Sequence, residues 1–476
     1  MLINNTGSAI GEEYLYSVLR KIKFQEEELK ERNRLIEFFS SHPEERLKLQ
    51  MILKNMGKLR AISVYEYINI LDQVEEKSNL PHIYMIAGLI GSVLLIPFKT
   101  KLGVFCTVAF VANNIIQYYR RKFQIETYFS VCMYVVRLLT ESREIIKLNL
   151  PELKEYTAGL DQAIKSFNKF MKGSSLLGSK NPNGSIMDVF ADYMKMLFHF
   201  DLMKFNSMIS IFKKNKEALN EIYQIVGLID SMIAVASFRQ ELSYYCIPDL
   251  RKNEAPYLKV EELYHPLIEN PVPNSIQERR SVLITGSNAS GKSTFIKTLA
   301  INAILSQTIY TSPSKKYEAS FFQIASSMAL QDNIFNNESY YIVEIKSLKR
   351  ILDRVNSDIP MLCFVDEVLR GTNTVERIAA SSQILYNLSQ VNALCIAATH
   401  DIELTHILEK HFSNYHFQEQ IADNNILFDY KLYPGRAVSK NAIKLLGIIG
   451  YDNEIISKAT DSVNHFLKEG TWEVLN

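Results

Sequence analysis

The run Gly286-Ser287-Asn288-Ala289-Ser290-Gly291-Lys292-Ser293 fits the pattern G-x-x-x-x-G-K-S/T and constrains the fold more than any other part of the chain. A backbone closes around phosphate oxygens only if several N–H groups point inward. That needs glycines at the tight turns and a helix leaving with its positive end towards the anion. The flanks meet both requirements. Ser281-Val282-Leu283-Ile284-Thr285 reads as a buried strand, and Ser293 to about Leu305 reads as a helix. In such a loop Lys292 reaches the β- and γ-phosphates and Ser293 can ligand Mg²⁺, with Thr294 beside it.

Two further apolar strands end in chemistry-bearing residues. Met361-Leu362-Cys363-Phe364-Val365 runs into Asp366-Glu367. An Asp at the end of a strand beside a phosphate loop can hold Mg²⁺, and the adjacent Glu367 is placed to polarise an attacking water. Ala393 to Ala398 runs into Thr399-His400-Asp401. A lone His is more often structural, but after a parallel neighbouring strand His400 can sense the γ-phosphate or orient the water. His199 and His265 have no such context. From Pro256 onward, short β-branched runs alternate with helical ones. The expectation is an α/β domain with its site at the carboxyl ends of its strands.

The first half reads differently. Glu12 to about Glu76 has helical spacing, with Ser41 as a cap and Pro43 in a first turn. Leu80–Phe98 and Leu102–Tyr119 contain no Asp, Glu, Lys or Arg; Lys99 and Lys101 separate them, and Arg120-Arg121-Lys122 closes the second run. Each is near the lower limit for spanning a bilayer. The pair reads as an apolar helical hairpin, either membrane-spanning or buried in a soluble bundle, where Asn113, Asn114 and Gln117 would be less out of place. Residues 123 to about 245 again read as long amphipathic helices, interrupted by a loop from Lys172 to Gly184. With only 18 Gly and 13 Pro in 476 residues, long helices are expected throughout. The net charge of +1 excludes nucleic-acid binding through bulk positive charge, though not through a local patch. Five cysteines without C-x-x-C spacing argue against a disulfide framework or zinc site and fit a reducing cytosol. The N-terminal stretch has no apolar segment of a secretory signal.

Taken in order, four segments resemble the ATPase domain of the MutS family of DNA mismatch repair proteins. They are Thr285–Thr294, Ser339–Glu344, the Asp-Glu-x-x-Arg-Gly-Thr-x-Thr run from Asp366 to Thr374, and the Ala-Thr-His-x-x-Glu-Leu run from Ala398 to Leu404. Tyr264-His265-Pro266-Leu267 and Gly435–Ala442 are similar to other parts of that domain, so the resemblance covers about Tyr257 to Asp461. It implies a composite ATP site in a homodimer. Ser339 to Glu344, with Asn337, would act on the partner's nucleotide, and Asn373 would lie in a loop facing the partner. ATP and Mg²⁺ are the implied cofactors, and DNA, mismatched or branched, the implied partner. No Leu-Ser-Gly-Gly-Gln-like segment occurs, unlike in ABC transporters and SMC-type ATPases.

Ser287 and Ala289 depart from the Pro and Met usual in that family, and the adenine-stacking aromatic is missing around Asn270 to Asn274. Phe24-Gln25-Glu26 spells the Phe-x-Glu of mismatch readers, but within a charged helical run. The expectation is a short form lacking the mismatch-reading domain. Its fold class is α plus α/β: a helical region (1–78), the apolar hairpin (79–122, with 80–119 as the membrane segment), core- and lever-like helices (123–250) and the phosphate-loop ATPase domain (251–476). The ATPase domain is expected in the cytoplasm, attached to the cytoplasmic membrane or, alternatively, soluble. A different functional class remains: a membrane-attached, ATP-driven switch acting on a protein partner without DNA.

Overall fold

The computed structural model describes residues 2–59, 63–70, 75–168, 193–252, 255–287, 290–328, 340–355, 358–370, 372–422, 425–437 and 442–474. The chain divides into two compact units, Met1–Arg20 with Arg32–Gln240, and Lys21–Glu31 with Glu241–Asn476.

The first unit is helical: α1 (Ala9–Arg20), most of α2 (Glu26–Ser41), α3 (Pro43–Met56), α4 (Val64–Ile70), α5 (Leu80–Leu95), α6 (Thr100–Lys147), α7 (Lys154–Lys165), α8 (Phe200–Lys214) and α9 (Lys216–Glu241). Pro43 opens α3 as expected, because its fixed φ suits a first turn and its missing N–H has no helical partner there. Ser41 does not cap that helix. Its hydroxyl turns back to the carbonyls of Glu37 and Phe38. The expected loop from Lys172 to Gly184 lies outside the described residues.

The unit is pinned at the buried carboxylate of Asp230 in α9. It accepts the amides of Gly7 and Ser8, both at 2.9 Å, and the Ser8 hydroxyl at 2.5 Å. Gly11 packs so close that a Cβ would lie 2.0 Å from the same carboxylate, so no side chain fits there. By length and composition α9 could cross a membrane, but 72% of its apolar 18-residue window is buried, as in a core helix, against only 17% of the window in Thr100–Glu126 of α6.

The apolar hairpin is α5 and the start of α6. Its second helix does not stop near Tyr119 but continues to Lys147, since no Gly or Pro follows between Tyr119 and that point and its later turns find core partners. The two helices approach through small residues. A Cβ on Gly88 would sit 2.4 Å from the Phe110 ring, and the Thr107 hydroxyl donates to Ser92 at 3.2 Å. The outward faces carry Tyr84, Leu94, Phe98, Phe105, Val108 and Ile116, all more than half exposed. At the base lies a polar layer: His82 Nδ1 to His199 Nδ1 at 2.9 Å, His199 Nε2 to the Asn114 carbonyl at 2.9 Å, and the Tyr118 hydroxyl donating to Asp201 at 2.8 Å.

The second unit is α/β. Strands β1 (Asp249–Arg251), β2 (Leu258–Leu263), β3 (Asn274–Glu278) and β5 (Lys316–Ser320) form a four-stranded sheet ordered β1-β5-β2-β3. The second sheet contains β4 (Ser281–Thr285), β6 (Gln323–Ser327), β7 (Met361–Asp366), β8 (Ala393–Ala398), β9 (Phe412–Ala422) and β10 (Asn425–Pro434), ordered β10-β9-β4-β8-β7-β6. All are parallel except β10, which returns antiparallel to β9. The three strands expected from the sequence, β4, β7 and β8, are thus its centre. Helices α10 (Lys292–Thr308), α11 (Tyr340–Arg354), α12 (Thr374–Gln390) and α13 (Ile402–Ile407) accompany the sheet, and α14 (Ala442–Ile449) and α15 (Asn453–Glu469) follow it. Lys21–Glu31 belongs to this unit, although helical spacing joined it to the first. The Lys23 amide donates to the Gln307 carbonyl at 2.9 Å, Leu29 is fully buried in the sheet's core, and Phe24 packs beside it.

Candidate active site

Strand β4 delivers the phosphate-loop pattern to one end of the sheet. Gly286 has φ 146°, and a Cβ there would come 2.7 Å from the Phe417 carbonyl. Gly291 has φ 108°, and its Cβ would meet the Tyr430 ring at 3.3 Å. Gly286 therefore demands glycine for conformation and for space, and Gly291 for conformation. The chain then enters α10, whose first amides have no helical acceptor. The Ser290 hydroxyl donates to the Ser287 carbonyl at 2.9 Å, and the Ser287 hydroxyl donates to Glu419 of β9. Asn288 and Ala289 lie outside the described residues.

Lys292 is 5% exposed and folds back over its own loop, donating to the carbonyls of Gly286 at 2.8 Å and Ser287 at 2.7 Å. Burial pulls its ammonium down to about 8, against the opposing pull of the carboxylates of Glu367, Asp366 and Glu419.

Parallel pairing sets Val282 of β4 opposite Ile396 of β8, and Asp366 of β7 opposite Ala398 of β8. The strand ends therefore converge although their residues lie far apart in sequence. The Ser293 hydroxyl donates to Asp366 Oδ1 at 3.0 Å. Glu367 has φ 58° and its amide donates to the Ala398 carbonyl at 3.1 Å, which turns its side chain off the strand axis. One of its oxygens meets His400 Nε2 at 3.1 Å, the other Arg370 Nη1 at 2.8 Å. Lys292, Ser293, Asp366, Glu367 and His400 thus gather at one end of the sheet. Asp401, next to His400, is gripped by Arg377 of α12 through two hydrogen bonds at 3.0 and 2.6 Å. Asn373 caps α12, its side chain accepting from the Val375 amide at 2.9 Å.

Other expected site residues lie elsewhere. Asn337 and Ser339 are outside the described residues. Glu344 is buried, with its carboxylate turned onto its own chain at the amides of Leu369 and Arg370.

Beside the loop a cleft of about 550 Å³ is bounded by Lys292, Ser293, Thr294 and Glu367 on one side and by Ile268, Pro271, Val272, Phe417 and Tyr430 on the other. Sequence reasoning sought an aromatic at Asn270 to Asn274 and missed Tyr430, which comes from the β9–β10 hairpin. A register shift between Phe428 and Leu432 puts Tyr430 at φ 54°. Asn274 holds that bulge, donating to the Tyr430 carbonyl at 3.0 Å and accepting from the Leu432 amide at 2.7 Å. The only local signal was that side chains alternate along a strand and a bulge re-aims one of them.

The donor set suits a hard cation held with phosphate. Ser293 and Asp366 offer two oxygens at one point, and among the described residues there is no cluster of three or more His, Cys, Asp or Glu side chains that could cage a metal alone. Mg²⁺ characteristically takes one or two protein oxygens and completes its shell with phosphate and water.

Comparison with known proteins agrees with the geometry. The family model described as MutS domain V matches residues 282–467. The DNA mismatch repair protein MutS of Thermotoga maritima is 29% identical over 278 residues, 56% of this chain and 34% of the relative. MutS protein homolog 4 of Mus musculus is 29% identical over 296 residues, 58% of this chain and 30% of the relative. The MutS of Thermus aquaticus is 27% identical over 252 residues, covering 52% and 30%. The chain thus matches about a third of the length of these relatives. These matches make the C-terminal part of the chain similar to MutS domain V and to the corresponding part of MutS proteins.

Proposed function

We propose that this chain is a MutS-type, Mg²⁺-dependent ATPase that works on DNA, as a dimer closed by nucleotide. The observation that carries the reading is the Ser293–Asp366 pair at 3.0 Å beside Lys292 and Glu367 at the mouth of one cleft. On binding, phosphate oxygens replace the two loop carbonyls that now hold Lys292. The amides at the start of α10 and the amides of the loop supply the rest of the cradle. Mg²⁺, held by Ser293 and Asp366, would neutralise phosphate charge. Glu367 accepts a proton from the attacking water, and His400, touching the same carboxylate, fixes its direction. Tyr430 and Val272 bound the space left for the base.

DNA binding and mismatch repair come from the names of the relatives, and the composite site from the family resemblance. The exposed apolar hairpin favours membrane attachment as an added property. Its α5 is about 24 Å long by helical rise. The exposed lysines of its turn could extend its reach to a far headgroup layer.

The test is ATP turnover by purified protein with and without homoduplex, mismatched and branched DNA. Lys292→Ala should abolish ATP binding. Glu367→Gln should bind ATP, cut turnover to a small residual rate and accumulate dimer. Turnover by the Gln variant at the parent rate would refute the base assignment. Salt-insensitive failure to bind any DNA form would remove the DNA half of the reading.

A further inference from the structure

Beyond the nucleotide cleft, the turn that follows Glu367 has an unusual support. Glu367 and Leu369 both adopt left-handed backbone, at φ 58° and 57°, which side chains other than glycine adopt only when their surroundings enforce it. The enforcing contacts are visible. The Glu344 carboxylate of α11 lies beneath the turn, 2% exposed, and accepts the consecutive amides of Leu369 at 2.5 Å and Arg370 at 3.1 Å. The Ser381 hydroxyl of α12 donates to the Val368 carbonyl at 3.3 Å, and the side chains of Val368 and Leu369 are buried.

Two adjacent N–H groups pointing the same way need two acceptor atoms at once. A carboxylate supplies them; an amide side chain supplies one and sets an N–H against the other donor. Burial pushes the Glu344 carboxyl above its ordinary range, while the two amides pull it back. The residues it holds are Leu369, in the turn that aims the Glu367 carboxylate, and Arg370, whose guanidinium grips it.

We propose that Glu344 is a positioning residue of its own chain's active site: by clamping the amides of Leu369 and Arg370 it fixes the turn that aims Glu367 at the attacking water. The proposal rests on the assignment of Glu367 as the base. It gives α11 a direct mechanical hold on water activation, without any contact between Glu344 and nucleotide.

The test uses the full chain carrying Glu344→Gln and, separately, Glu344→Asp. Glu344→Gln should lower kcat at least tenfold while the Kd for ATP stays within twofold of the parent. In a Glu367→Gln background the same change should lower residual turnover no further, because groups that act through one another are not additive. Hydrogen exchange supplies a readout independent of turnover. The amides of Leu369 and Arg370 should be protected in the nucleotide-free parent and exchange faster in the Gln variant, with the Asp variant between. A kcat within twofold of the parent, additivity with Glu367→Gln, or unprotected amides in the parent would overturn the clamp. A parent that binds ATP without turning it over would instead sink the assignment of Glu367, and exchange at the two amides would still decide the clamp. If the Gln variant fails to fold, the Asp variant and exchange in the parent carry the test.

Discussion

The depressed ammonium of Lys292 makes a quantitative claim about pH. In the free protein burial holds it near 8, so the side chain is charged below that pH and mostly neutral above it. A triphosphate placed on the loop raises the same group far above its free value, since opposite charge in close contact favours the ammonium. The sign follows: the free form has the lower pKa, so binding takes up a proton wherever the free lysine has lost one. Affinity should be flat between the last titration of the phosphates and pH 8, and should then weaken about tenfold per pH unit, each unit being about 1.4 kcal/mol. At pH 9 about nine-tenths of the free protein would be neutral at Lys292, and nearly one proton would be taken up per ATP. Calorimetric titration from pH 7.5 to 9.5, in buffers of different ionisation enthalpy, measures both quantities. Glu419→Gln removes one carboxylate that supports the ammonium and should move the break to lower pH. A Kd constant within twofold up to pH 9.5, or no proton uptake at pH 9, would refute the reasoning.

Three further outcomes are expected. Tyr430→Ala should weaken ATP binding by about 1–2 kcal/mol, five- to thirtyfold, through loss of a stacking face, and Tyr430→Phe should not; equal losses in both would mean that the ring is not the platform. Asp230→Ala strands two amides and a hydroxyl in the helical unit and should cost at least about 3 kcal/mol in urea unfolding, whereas a loss under about 1 kcal/mol would show that the carboxylate is not its pin. Phe105→Asp with Val108→Asp alters two side chains that already face outward, so a soluble bundle should tolerate the pair. A bilayer should resist it by about 2.5 kcal/mol or more per charge. The parent should remain with membranes after an alkaline wash and the double variant should not; release of both, or retention of both, would count against hairpin insertion.

What was legible in the sequence is what short-range pattern encodes. A strand, a turn and a helix start lie within the thirteen residues Ser281–Ser293, so glycine spacing and strand pattern sufficed to name the loop. The same holds for Asp366-Glu367 and for His400, each within two residues of the end of an apolar run. The hairpin was also visible, because the absence of charge over two adjacent helices is a local property. Which face that hairpin turns outward, and that its second helix runs on to Lys147, depended on packing partners.

The tertiary structure alone decided which distant residues share the site. Parallel register, not sequence distance, carries Asp366 to Ser293, and a bulge fastened by Asn274 swings Tyr430 over Gly291. Glu344 read as one member of a segment aimed at nucleotide, yet burial and two amides commit it to its own chain. Lys292 looked like any phosphate-binding lysine until its environment set its charge near neutral pH. Local periodicity reports which face of an element is apolar. Burial, charge and hydrogen-bond partners belong to pairs of elements, and pairs exist only once the chain has folded.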